Sequence, residues 1–201
     1  MNRTVLHWLR RSLVIAAAVI STACNDEAPL GPERQRVVPV DNAALPTTRV
    51  SSANAGRVAD LGSCQNLRPP EGSKLVFHVY ATGVQIYHWN GSGWTFDGPD
   101  AMLSADAQGK STVGIHYAGP TWESNSGGTV KGTVAQRCTP DPNAIQWLLL
   151  NAVSEGPGIF HRVTHIQRVN TVGGKEPMYA GTAGEVARVP YTTEYFFYRA
   201  P

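Results

Sequence analysis

Between residues 61 and 201 the apolar side chains recur in short runs rich in β-branched and aromatic residues, each bounded by Gly, Pro, Asn, Asp or Ser. Residues 75–80 are the first run, Ala81-Thr82-Gly83 reads as a turn, and 84–89 alternates apolar with polar or amphipathic positions. Asn90-Gly91-Ser92-Gly93 predicts a hairpin into 94–96. Residues 97–103 read as a loop or a single helical turn, and 106–109 as a further turn. Strands are expected over 112–117, 129–138, 160–170 and 191–199. Residues 144–153 are apolar-rich and read as a buried strand or a short helix, and the Ala and Leu content tilts them towards helix or irregular structure. About eight strands without strand–helix alternation predict one compact all-β domain, a β-barrel or β-sandwich with at most one or two short helices. Tyr195-Phe196-Phe197-Tyr198 has no polar face, so both sides of that strand are covered or one side lines a cavity.

The N-terminal third follows another pattern. Arg3, Arg10 and Arg11 precede an apolar run over 13–20, and small residues at 21–23 lead to Cys24. This is the pattern of a signal peptide, too short to span a bilayer as a mature helix. The small residues before Cys24 resemble a bacterial lipobox, although Ser21 stands where that motif prefers Leu. The resemblance implies lipidation of Cys24, hence a membrane as partner and a bacterial cell-envelope location, on the periplasmic face of a membrane or the cell surface. Acyl chains on one residue anchor firmly, because each buried CH₂ contributes about 0.8 kcal/mol. Residues 24–60 carry Pro29, Pro32, Pro39 and Pro46 and no aromatic side chain, the composition of a disordered tether. The expected organisation is therefore signal peptide 1–23, tether 24–60 and β-rich domain 61–201.

Processing changes the charge. The whole chain has 17 basic and 15 acidic residues, and residues 1–23 hold three Arg and no acid, so the mature chain has 14 basic against 15 acidic. No basic excess remains to attract nucleic acid. Two cysteines are left, Cys64 and Cys138, and export to an oxidising compartment predicts a disulfide between them.

Chemistry concentrates in His116-Tyr-Ala-Gly-Pro-Thr-Trp-Glu123. Either His116 and Glu123 are hydrogen-bonded partners in a tight corner with Trp122 in the core, or His116, Tyr117, Trp122 and Glu123 line a pocket with an aromatic platform and an acid/base pair. A second polar run holds His165, Gln167, Arg168 and Asn170, which satisfy loop backbone or meet a ligand. A buried Arg168–Glu123 pair would unite the two runs. His161 and His165, four apart on a strand, lie about 13 Å from each other, which argues against a shared metal. No phosphate loop, dinucleotide fingerprint or nucleophile elbow occurs, so no cofactor is expected.

Five runs carry a family resemblance: 83–87, 114–123, 144–150, 163–174 and 189–191. Through them the chain resembles the domain of unknown function 3455 family of exported bacterial and fungal proteins. The resemblance implies a compact secreted domain and no catalytic assignment. Some relatives carry cysteines where this chain has Trp89 and 178–180, so a disulfide there is absent. The expectation is a lipid-anchored envelope protein whose β-domain binds a small molecule or glycan or serves a structural role. The alternative is a hydrolase of envelope or extracellular glycans using Glu123 with His116 or His165.

Overall fold

The computed structural model describes residues 57–201. The expected signal peptide, the lipidation site Cys24 and the tether up to residue 56 lie outside the described residues. Eight strands follow a 3-10 turn at Gln65–Leu67: β1 Lys74–Trp89, β2 Trp94–Ser104, β3 Thr112–Tyr117, β4 Thr121–Ser124, β5 Thr129–Cys138, β6 Trp147–Glu155, β7 His165–Gly173 and β8 Val186–Arg199. Each pairs antiparallel with the next, and β8 pairs with β1, so the sheet closes into an up-and-down barrel. Closure leaves no free sheet edge. With eight strands the interior is wide enough for side chains or for one small ligand.

Four expectations are corrected. Residues 81–83 are no turn: β1 runs straight through them. A Cβ on Gly83 would lie 2.2 Å from the Asp100 carbonyl oxygen. The glycine therefore marks a close approach of β1 and β2 rather than a reversal. Residues 97–103 are strand, with Gly98 opposite Ile86 at a register shift that absorbs the breakers Gly98 and Pro99. Over 144–153 the chain is a strand from Trp147 onwards, paired on one side with β5 and on the other with β7, and this pairing overrides the helix preference of Ala and Leu. The run at 160–170 becomes strand only at His165, while Phe160 and Val163 belong to the β6–β7 connection.

The two ends of the barrel differ. At the end bearing the β6–β7 connection, Phe160 and Val163 pack inward with Phe77, Leu103, Ile166 and Phe197. Phe77 stacks on Phe197 at 4.3 Å, and Phe160 lies 5.2 Å from Phe77 and 5.1 Å from Phe197. This aromatic plug shuts that end. At the other end the connections 90–93, 118–120, 139–146 and 174–185 surround an open mouth.

A second apolar cluster lies outside the barrel. Ala59, Leu61, Cys64 and Leu67 cover Leu149, Val169, Phe196 and Tyr198. Both faces of the aromatic stretch in β8 are thus buried, with Tyr195 and Phe197 inside and Phe196 and Tyr198 beneath the N-terminal segment. Ala59, within the expected tether, is already part of this packing. The Cys64–Cys138 disulfide, with a Cα separation of 5.7 Å, ties the segment to the end of β5.

Candidate functional site

The open end encloses a cavity of about 640 Å³, the size of small-molecule sites. Its floor begins at the β3–β4 hairpin. Gly119, at φ 94°, takes the left-handed conformation the corner needs, and Pro120 follows it. The three-residue connection sets His116 opposite Trp122, and both point inward. Their rings stack at 4.2 Å and 9°. Room for the indole comes from Gly132 on β5, where a Cβ would sit 3.0 Å from Trp122 Cζ3. Tyr195 closes the cluster edge-on, 5.3 Å from His116 and 5.2 Å from Trp122. Arg168 is the direct cross-strand neighbour of Tyr195. Leu148, Leu150, Val134 and Phe96 supply apolar wall, and Asp97, Arg137, Lys175 and Glu176 add charge to the lining.

The mouth is held by hydrogen bonds. Arg168 donates through Nε and Nη2 to the Gln146 carbonyl at 3.1 and 2.8 Å, pinning the 139–146 connection. Lys175 Nζ donates to the Pro142 carbonyl at 2.7 Å, joining that connection to 174–185. Tyr87 Oη donates to the Gly174 carbonyl at 2.7 Å.

Burial controls ionisation here. His116 is pushed down to about 3, first by burial and then by the Arg168 charge, against the opposing pull of the Thr121 carbonyl. Its Nδ1 donates to that carbonyl at 2.8 Å, so the ring is neutral and Nε2 is left as an acceptor. Burial raises Tyr87 to about 12. It also raises Tyr191 and Tyr195, so these hydroxyls keep their protons.

Three polar groups in the lining lack a protein partner although buried: the Trp122 indole N–H, the Gln85 amide nitrogen and the Tyr195 hydroxyl. Tyr191 Oη is a fourth; it neighbours Tyr195 and Gln85, and Arg168 neighbours Tyr195, so these polar groups interact with one another although none closes a hydrogen bond of full geometry. A buried polar group without a partner costs about 1–3 kcal/mol, so native proteins rarely cluster them without a use.

Of the residues the sequence singles out, His116, Trp122 and Arg168 meet at this cavity. The others do not join them. Tyr117 and Glu123 project from the outer face and bond each other, Tyr117 Oη donating to Glu123 Oε2 at 3.0 Å. The expected His116–Glu123 hydrogen bond is therefore not formed, nor is an Arg168–Glu123 pair. Gln167 faces outward beneath the N-terminal segment, donating to the Leu67 carbonyl at 2.6 Å and accepting from Tyr198 Oη. Asn170, at φ 53° in a strand irregularity, donates to Glu194 at 3.0 Å. His165 sits on the face of β7 opposite the core residue Ile166, with Nδ1 3.0 Å from Thr164 Oγ1. Neither histidine thus meets Glu123 as the glycan-hydrolase reading requires.

Gln85 and Tyr195 were not among the sequence candidates. A signal for Tyr195 existed in the two-sided apolar strand, whereas Gln85 reads as the polar half of a simple alternation. Also unforeseen is His78, fully buried on the outer face, with Nε2 2.6 Å from Glu194 Oε2. These two residues are 116 apart in sequence, which leaves no local trace. Among the described residues no three His, Cys, Asp or Glu side chains converge where a metal ion could sit. The cavity lining contains no serine or cysteine.

The fold and cavity define a closed eight-stranded antiparallel barrel, plugged at one end and open at the other. Residues 69–199 match the family model described as protein of unknown function (DUF3455), and the chain belongs to that family. No curated protein and no solved structure matches the chain.

Proposed function

We propose that the protein is an exported, lipid-anchored envelope protein whose barrel binds a small molecule at its open end. The observation that carries this reading is the cavity of about 640 Å³ at the open end, where the apolar wall of Leu148, Leu150, Val134 and Phe96 meets the charged side chains of Arg137, Arg168, Lys175, Asp97 and Glu176. A cleft of this size with an apolar wall and a few charged groups is the usual build of a small-molecule site. The basic, apolar and small-residue pattern before Cys24 supports export and lipidation.

Binding is tested by a thermal-shift screen of small metabolites against the full chain, followed by calorimetry on hits. Ligands should raise the melting temperature of wild type, and filling the cavity from its half-buried wall with Val134→Trp should abolish the shift. Hits that stabilise both proteins equally would place binding elsewhere. Anchoring is tested with Cys24→Ala, which should move the protein from the membrane to the soluble fraction.

A further inference from the structure

Outside the plug of Phe77, Phe160 and Phe197, the ends of β1, β6 and β8 and the β6–β7 connection enclose a depression of about 600 Å³. Val76, Ala152 and Val163 form its apolar base and pack on the core cluster beneath. Lys74, Arg162 and Arg199 line it together with the imidazole of His161, and no Asp or Glu side chain does. Lys74 lies directly opposite Arg199 in the β1–β8 register. Like charges in that position repel and destabilise the sheet that carries them.

Neighbouring groups leave these cations uncompensated. Arg199 donates through Nε to the His161 carbonyl at 2.8 Å, which orients its fork and leaves both Nη atoms without a partner among the described residues. Lys74, Arg162 and Arg199 enter no side-chain ion pair among the described residues. Glu155, next in the chain to the β6 lining, is turned to Lys131 at 3.4 Å. Ser154 Oγ already donates to the Val163 carbonyl at 2.9 Å. Arg162 also holds φ at 60°, a conformation that a turn by itself assigns to Gly or Asn. Such outliers persist where the side chain or the geometry is used. Set against the carboxylate that Pro201 carries as the last residue of this sequence, the three cations leave two positive charges in excess.

We propose that this depression binds a phosphomonoester, its head met by Lys74 Nζ, the Arg162 guanidinium and the Nη atoms of Arg199, and its ester substituent resting on Val76 and Ala152. A phosphomonoester carries about −1.5 to −2 charges at neutral pH and three strong acceptor oxygens, which matches the charge excess. Guanidinium forks meet phosphate through paired donors, and an ammonium meets it as a point charge. A carboxylate leaves half of the excess unbalanced, and a neutral molecule leaves all of it. Soluble esters and phosphatidic acid share this head group.

Calorimetry on the full chain at neutral pH and low salt, with phenyl phosphate and benzoate, tests the assignment, because the two probes share one apolar ring and differ in charge. Phenyl phosphate should bind roughly tenfold tighter than benzoate and should weaken as salt is added. Arg162→Asn should weaken phenyl phosphate about threefold to tenfold and leave the melting temperature unchanged or higher, because Asn accepts the left-handed backbone. Lys74→Gln should do the same, since it removes the repulsion with Arg199. Vesicles of phosphatidylcholine with and without phosphatidic acid separate the two sources. Retention that depends on phosphatidic acid and is greater for wild type than for Arg162→Asn assigns the head group to a lipid. Equal retention, with phenyl phosphate still bound, assigns it to a soluble ester. Benzoate binding as tightly as phenyl phosphate overturns the dianion assignment. Phenyl phosphate binding that survives both substitutions at wild-type strength overturns the site, and so does the absence of both phenyl phosphate binding at millimolar concentration and vesicle retention. Neither failure touches the open-end reading, which rests on ligands lost in Val134→Trp.

Discussion

Acidification should destabilise the barrel through His116, and the size of the effect can be worked out. In the unfolded chain the imidazole takes a proton near 6.5; in the native barrel it does so only near 3. Between those values the unfolded state holds a proton that the native state does not, so stability falls as pH falls. Above pH 6.5 both states are neutral at this residue and it contributes no slope. From pH 7.5 to 4.5 the loss accumulates over about two pH units, which at about 1.4 kcal/mol per unit comes to roughly 3 kcal/mol. The comparison protein is His116→Asn, whose amide nitrogen takes the place of Nδ1 towards the Thr121 carbonyl and does not titrate. This variant loses the ring stack on Trp122 and starts less stable at every pH. The informative quantity is therefore the difference between pH values, not the stability itself. Glu194, which the His78 hydrogen bond holds below the usual carboxylate range, is present in both proteins and cancels. Urea unfolding at the two pH values should show wild type losing about 3 kcal/mol more than the variant. Equal losses would refute the placement of a neutral imidazole in a water-poor floor.

Other expectations follow from packing and covalent structure. Gly132→Ala puts a methyl against Trp122 and Leu150 and should cost about 1–3 kcal/mol in urea unfolding. Replacing Cys64 and Cys138 together by Ala opens a cross-link with a sequence separation of 74 and should lower stability by about 4 kcal/mol in the chain-entropy picture, measured the same way under non-reducing conditions. Glu123→Gln disturbs only the exposed contact with Tyr117 and should shift stability by less than about 0.5 kcal/mol. It should also leave ligand affinity and any glycan turnover at wild-type values, and a loss of turnover would revive the hydrolase assignment.

How far the sequence carries depends on whether the deciding interaction is local. The bounds of β3 and β5 are legible because Gly119-Pro120 and the polar run 124–128 punctuate them. The whole of β2 is not, because Asp97, Gly98, Pro99 and Asp100 are strand breakers that only pairing with β1 and β3 makes tolerable. The Leu-rich start of β6 is hidden for the opposite reason: its residues favour helix, and neighbours on both sides overrule them. At the site, alternation along β3 correctly turns His116 away from Ile115 and Tyr117. What it does not supply is the register across the corner. Once His116 faces Trp122, Glu123 must face Ile115 and leave the interior. Gln167 illustrates the remaining gap, since its partner Leu67 lies 100 residues away, on a segment whose docking no periodicity announces.

The aromatic plug of Phe77, Phe160 and Phe197 has a kinetic meaning beyond packing. A barrel shut at one end has a single portal. Whatever enters past the 139–146 and 174–185 connections leaves by the same route, so exchange cannot be a passage from one side to the other. Admission and release share one barrier, set by how often those two connections part. Because Arg168 and Lys175 fasten the 139–146 connection through the Gln146 and Pro142 carbonyls, weakening either tether should speed arrival and departure together. Residence time and access are then two readings of one motion.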